Sequence, residues 1–365
     1  MRISTIGGRT HVTLGWSQDL CPRGMRVGAP NASACSGRNT MTTTAPGSRI
    51  WSERTLPGAV RCWCCRRDGA NSPGECHDLE MKLGAVYPQI ELKGDPEAVR
   101  QIGVGVEAMG FDYLLAYDHV LGAVHDGREP ALTGPYTERD PFHDPFVMFA
   151  YLAGLTKSLE FASGVIILPQ RQTALVARQV ADLDLLSGGR FRLGVGVGWN
   201  YVEYESLGQE FRTRGAREEE QIELIRRLWT EPLVDFAGRF DRVDRASSLP
   251  LPSRPVPIWL GGFGDIAFER ASRLADGFIF AGRATDVAET WSAMKARAES
   301  HGRDVTNFGG ELLVSSKKGP TDVADKLKSW RDLGGTHGGV VSMGLGFDSA
   351  EAHLDFLSQV KAALA

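Results

Sequence analysis

No cysteine follows residue 80, no lysine precedes it, and no apolar run approaches the roughly 18 residues that a membrane span needs. Charge of one sign is lacking too: 41 Lys and Arg stand against 45 Asp and Glu, a net charge of -4 over 365 residues. That balance excludes general affinity for nucleic acid or for a membrane surface. Met1 is followed by a polar, glycine-containing stretch rather than a leader with an apolar segment, so a cytoplasmic protein is expected.

All six cysteines (Cys21, Cys35, Cys62, Cys64, Cys65, Cys76) share the first 80 residues with ten Arg and with Ser, Gly and Pro throughout. No periodicity of either kind is sustained there, which reads as loop or disorder. Residues 1–80 are therefore expected to lie outside the fold, as a disordered or non-native extension such as an over-long translation start. The rival is a metal site in "CWCCRRDGANSPGECH" with His77, but its spacing matches none of the usual zinc patterns.

What is there begins at Met81. Short β-type runs alternate with helical patterns: strands over 82–87, 112–117, 159–167, the segment ending in "RFRLGVGVG", 257–262, 277–282, "GGELLVS" and "GGVVSMG". The first helix opens at Asp95-Pro96, an N-cap followed by Pro at N1, and carries Val99, Ile102, Val106 and Met109 on one face. Asp144-Pro145 opens the second in the same way, and "VDFAGRFDRV" reads as a polar hairpin between the fourth helix and fifth strand. Eight such units over residues 81–365 predict an α/β fold, a (β/α)8 TIM barrel with insertions. Chemistry in such a barrel sits at the C-terminal ends of the strands.

The stretch "SGGRFRLGVGVGWN" (187–200) resembles a phosphate loop at first sight. Its G-V-G-V-G-W spacing lacks the third glycine of G-x-G-x-x-G, so the Rossmann reading fails. Strand alternation puts Phe191, Leu193, Val195 and Val197 on one face and Arg192, Gly194, Gly196 and Gly198 on the other. The bulky face is expected to pack on helices and the glycine face to point into the barrel. Two uses of that bare face stay open, tight interior packing and a floor for a flat ligand.

"LPQRQTALVARQVADLDLLSGGRFRLGVGVGWNYVEYESLG", "WLGGFGDIAFERASRLADGFI" and "YDHVL" together resemble the luciferase-like monooxygenase superfamily, and within it the branch dependent on coenzyme F420, a deazaflavin. The likeness runs from Met81 to the C-terminus. It implies a (β/α)8 barrel, usually a homodimer, binding a flavin or deazaflavin at the C-terminal mouth.

The same resemblance implies roles for particular residues. Asp118 and His119 border the coenzyme ring, with His119 the proton donor or acceptor. Ser163, Gly164 and Val165 back the ring, with a cis bond at Gly164–Val165. Gly196, Gly198 and Asn200 line the coenzyme, Trp199 either shapes the substrate side or simply packs, and Tyr136, in the loop after strand two, is a candidate substrate contact. Gly261, Gly262, Phe263 and Gly264 form a glycine-rich turn into a helix, whose backbone N–H groups suit a phosphate. Arg171 and Arg283, also at strand ends, are candidates for the anionic coenzyme tail, with an ordinary surface arginine as the commoner alternative. The loop 122–144 is expected to lid the pocket, with His125 and His143 as further contacts, and no metal is expected because no ligand spacing appears.

One departure concerns the substrate. Sugar-phosphate dehydrogenases of this branch carry a Trp soon after the Asp-His pair and a Glu after the strand-four glycines, where this chain has Ala123 and Trp199. The expected activity is hydride transfer between coenzyme F420 and a small molecule. The rivals are an FMN-dependent monooxygenase and a non-catalytic flavin-binding barrel.

Overall fold

The computed structural model describes residues 2–6, 9–13 and 81–365. Near the N-terminus Arg2–Ile6 and Arg9–Thr13 pair as an antiparallel hairpin, in a segment whose sequence shows no periodicity. The cysteine-rich stretch with His77 lies outside the described residues.

The remainder is a closed barrel of eight parallel strands: β1 (Lys82–Val86), β2 (Tyr113–Ala116), β3 (Glu160–Ser163), β4 (Phe191–Gly196), β5 (Ile258–Gly261), β6 (Gly277–Ala281), β7 (Gly309–Val314) and β8 (His337–Val341). Each pairs with its sequence neighbour. The ring closes through β8 on β1, with His337 opposite Lys82 and Val341 opposite Val86. Helices follow the strands: α1 (Pro96–Ala108), α2 (Pro145–Ala153), α3 (Thr173–Ser187), α4 (Arg214–Thr230), α5 (Asp265–Leu274), α6 (Ala284–Ser300), α7 (Pro320–Asp332) and α8 (Ala350–Leu364). The predicted caps form, with Asp95 accepting from the Glu97 N–H and Asp144 from the Val147 N–H, each at 3.1 Å. The polar hairpin is present as Val234–Ala237 against Arg242–Ala246.

Alternation along each strand divides the core in two. Outward residues such as Phe191, Leu193 and Val195 join Phe146, Phe149 and Val180 in a cluster between strands and helices. Inward residues form a smaller one of Val86, Tyr113, Leu115, Ala162, Trp259 and Ile279. Arg192, on the inward face as predicted, lies 4.0 Å from the Trp259 ring centroid. Its guanidinium is 2.7 Å from the buried Glu311 carboxylate, close but not aligned as a hydrogen bond. Tyr113 donates its hydroxyl to the other Glu311 oxygen at 2.7 Å. This polar layer fills the barrel interior. Among the described residues no helix is long and apolar enough to cross a membrane.

The third strand, expected over 159–167, is interrupted at the place where the resemblance implied a cis bond. It breaks after Ser163 and resumes as Ile166–Ile167, and the Gly164–Val165 bond between the two pieces is cis, as the resemblance implied.

Candidate active site

The break in β3 explains the glycine face of β4. A Cβ on Gly194 would collide with the Ser163 carbonyl oxygen, and one on Gly196 would lie 2.6 Å from Val165 Cγ2. From β5, a Cβ on Gly261 would lie 2.8 Å from Val165 Cγ1. The inward face of β4 is therefore occupied. Backbone from β3 fills the space beside Gly194, and Val165 lies across Gly196 and Gly261 as a ledge. Val165 and Gly261 are half-buried, as are Val197 and Gly198 at the end of β4, which leaves a surface poor in side chains at the mouth. Ser163 stitches the break, its hydroxyl donating to the Gly194 carbonyl at 2.8 Å and accepting from the Gly194 N–H at 2.9 Å.

At the end of β2, Asp118 and His119 have different surroundings. The Asp118 carboxylate is buried and fully engaged, accepting from the Ile167 N–H at 3.1 Å and from Arg171 at 2.7 and 3.3 Å. Burial pushes its carboxyl above the ordinary value, against the pull of Arg171. Asp118 thus ties the end of β2 to the resumed β3. Arg171, one of two candidates for the coenzyme tail, is held between Asp118 and Asp144, the latter at 3.1 Å. Arg283, the other candidate, is exposed and paired with Asp286 at 2.7 Å.

His119 is turned toward aromatic rings. Its centroid lies 4.9 Å from Phe142, 5.3 Å from Tyr136 and 5.5 Å from Trp199. Burial raises the Tyr136 phenol to about 12, so it is a neutral donor. The loop 122–144 supplies two of these walls and packs onto the third, since a Cβ on Gly134 would lie 2.5 Å from the Trp199 indole. His125 reinforces the loop, with its Nε2 2.9 Å from the Tyr136 carbonyl and its ring 5.8 Å from Trp199. His143 instead meets Tyr87, at 6.5 Å between centroids.

The Nδ1 of His119 lies 3.2 Å from Glu203 Oε1, which also accepts the N–H groups of Val120 and Leu121 at 2.8 and 2.9 Å. Glu203 was not singled out in the sequence; it belongs to a short helix, Tyr201–Ser206, that lacks an extended apolar pattern. Asn200 caps this helix, accepting from the Val202 N–H at 3.1 Å and donating to the Leu121 carbonyl at 3.2 Å. Asn200 thus fixes the loop's root, where direct contact with a coenzyme was expected. An indole and a carboxylate do flank His119, but they come from Trp199 and Glu203, not from the positions of Ala123 and Trp199.

The turn after β5 remains open. Gly262 and Gly264 adopt φ of 154° and 82°, Phe263 is 84% exposed, and no side chain caps α5. Backbone N–H groups at such a helix start suit an anion. Two clefts of about 780 Å³ lie elsewhere, one at the N-terminal end of the barrel beside Met81, Lys82 and Lys361, the other between α4 and α5. Neither contains a residue expected at the site. Among the described residues no group of three or more His, Cys, Asp or Glu is placed to hold a metal.

Residues 81–347 match the family model for luciferase-like monooxygenases. An uncharacterized protein of Mycobacterium tuberculosis, Rv0940c, is 36% identical over 201 residues, 55% of this chain and 68% of its own. An F420-dependent glucose-6-phosphate dehydrogenase of Gordonia bronchialis is 28% identical over 267 residues, 70% of this chain and 74% of its own. Among solved structures, an F420-dependent secondary alcohol dehydrogenase in complex with an F420-acetone adduct superposes with a TM-score of 0.64 at 16% identity, covering 78% of this chain and 99% of that one. EDTA monooxygenase from Chelativorans sp. BNC1 gives 0.61 at 14% identity, over 78% and 95% of the two chains. With most of its barrel matched, the chain belongs to the luciferase-like monooxygenase family.

Proposed function

We propose that this protein is a coenzyme F420-dependent oxidoreductase that moves a hydride between the coenzyme and a small organic molecule bearing a hydroxyl or an unsaturated group. The observation that carries the reading is the side-chain-poor ledge of Val165 over Gly196 and Gly261, joined to His119 through the Asp118–Ile167 hydrogen bond. A flat tricyclic ring fits such a ledge, and the uncapped turn Gly262–Gly264 fits its phosphate. The names of the curated relatives, two of them F420-dependent glucose-6-phosphate dehydrogenases, support the deazaflavin over a flavin.

When bound, the coenzyme supplies the hydride donor or acceptor at its C5 carbon. The residues of the chain do the rest. Val165 backs the ring, and the loop 122–144 keeps water from the reacting centre. His119 Nε2 accepts the hydroxyl proton as the substrate is oxidised, or returns it in the reverse direction. A homodimer is proposed as the working assembly on the same resemblance.

Anaerobic incubation with F420 and a panel of alcohols and ketones tests this. The expected result is a change in the coenzyme's visible absorbance, with His119→Ala slowing turnover more than it weakens coenzyme binding. Oxygen consumption with reduced flavin mononucleotide would favour the monooxygenase, and coenzyme binding without any turnover would favour the non-catalytic barrel.

A further inference from the structure

We propose that Glu203 is the positioning residue of the site, forming with His119 a carboxylate–imidazole dyad that fixes which ring nitrogen faces the substrate. This rests on the reading of His119 as the proton-transfer group.

A carboxylate accepts hydrogen bonds and donates none. Glu203 Oε1 takes the N–H groups of Val120 and Leu121 and lies 3.2 Å from His119 Nδ1, so the proton of the neutral imidazole sits on Nδ1. Nε2 then carries the lone pair and is the nitrogen left for a substrate. The carboxylate is 1% exposed, so its charge is poorly screened, and it stabilises the imidazolium formed when Nε2 takes a proton. The same oxygen pins the backbone at the root of the loop 122–144. One side chain thereby sets both the orientation of the imidazole and the seating of the loop over it.

The other titratable groups around the ring are Tyr136 with Asp140 behind it, His125 across Trp199, and Asp118, whose charge Arg171 meets. Among these neighbours Glu203 is the one carboxylate that touches the imidazole, so its charge has the most direct hold on proton transfer there.

Glu203→Gln keeps an oxygen for the two N–H groups and removes the charge. Steady-state kinetics with F420 and a turned-over alcohol, between about pH 5 and 9, should show kcat reduced roughly 10-fold or more. The limb of the kcat–pH profile should move to lower pH, because the imidazolium has lost its anionic partner, while KM and F420 affinity change little. Glu203→Asp should restore part of the limb. A Glu203→Gln profile that superimposes on the wild type, in a protein that His119→Ala does impair, would overturn the dyad alone. His119→Ala with wild-type turnover would overturn the reading of His119 itself. Heteronuclear NMR of the histidine side chains in the wild type gives an answer that needs no variant: an Nδ1–H tautomer for His119 supports the dyad, and an Nε2–H tautomer refutes it.

Discussion

Adding one methyl group at Gly194 or at Gly196 should give two different outcomes, although both glycines share one face of β4. In Gly194→Ala the new carbon falls on the Ser163 carbonyl oxygen and also lies 3.0 Å from Ile279 Cδ1. The Ser163 hydroxyl donates one hydrogen bond to Gly194 and accepts another from it, which locks that backbone to Gly194, so neither strand yields readily. Overpacking of this kind costs about 1–3 kcal/mol or more. The gain from replacing a strand glycine is only about 0.5–1 kcal/mol. A net loss of about 1–2 kcal/mol is expected. In Gly196→Ala the carbon meets the end of a side chain, Val165 Cγ2 at 2.6 Å, and the Gly261 carbonyl at 3.2 Å. Val165 can turn away, so the net loss should stay under about 1 kcal/mol. The displaced side chain now disturbs the ledge, and F420 affinity should fall about 10-fold, the equivalent of about 1.4 kcal/mol. Urea unfolding gives the first quantity and coenzyme titration the second. Gly194→Ala matching the wild type in stability, or Gly196→Ala binding F420 unchanged, would refute the assignment of these glycines to the packing of the β3 break.

Two further outcomes follow from the buried charges. Glu311→Ala strands the Arg192 guanidinium inside the barrel and should cost about 3–5 kcal/mol, read by urea unfolding; an unchanged midpoint would show that the ion pair contributes nothing. Glu218, buried on α4 with Arg270 at 3.2 Å, has its carboxyl pushed up to about 7, chiefly by burial. The folded state then holds a proton that the unfolded state releases above its ordinary carboxylate value, so stability from this group is full at low pH and is lost as pH rises through about 7. The stability of Glu218→Gln relative to the wild type should therefore increase by roughly 3 kcal/mol from acidic pH to above neutrality, and a pH-independent difference would contradict the assignment.

The barrel was legible because its signals are local. Asp95-Pro96 and Asp144-Pro145 cap helices wherever they fall, and alternation put Arg192, Gly194 and Gly196 inward without reference to neighbours, whereas Gly198, expected on the same face, lies past the strand end at Gly196 with a φ of 61°. The resemblance placed the cis bond of β3, but that its backbone and Val165 fill the space before Gly194 and Gly196 was not legible, because the contact is made by residues some thirty positions earlier in the chain. The resemblance assigns Asp118, Arg171, Ser163 and Asn200 to the coenzyme, yet the side chain of each is engaged by another part of the chain. A motif records position along the chain and not the partner, so a buried ion pair and an open ligand contact look alike in it. Glu203 escaped notice for the complementary reason. It lies 84 residues from His119, and only the return of the chain after β4 brings its carboxylate to the imidazole.

The central claim is that the ledge and turn at the mouth hold a deazaflavin, and the most direct test is titration of the purified protein with F420 and, separately, with flavin mononucleotide, followed by coenzyme fluorescence. The account predicts saturable, tight binding of F420, weakened by Gly196→Ala, with flavin mononucleotide bound far more weakly. Tight binding of flavin mononucleotide with no binding of F420 would contradict it.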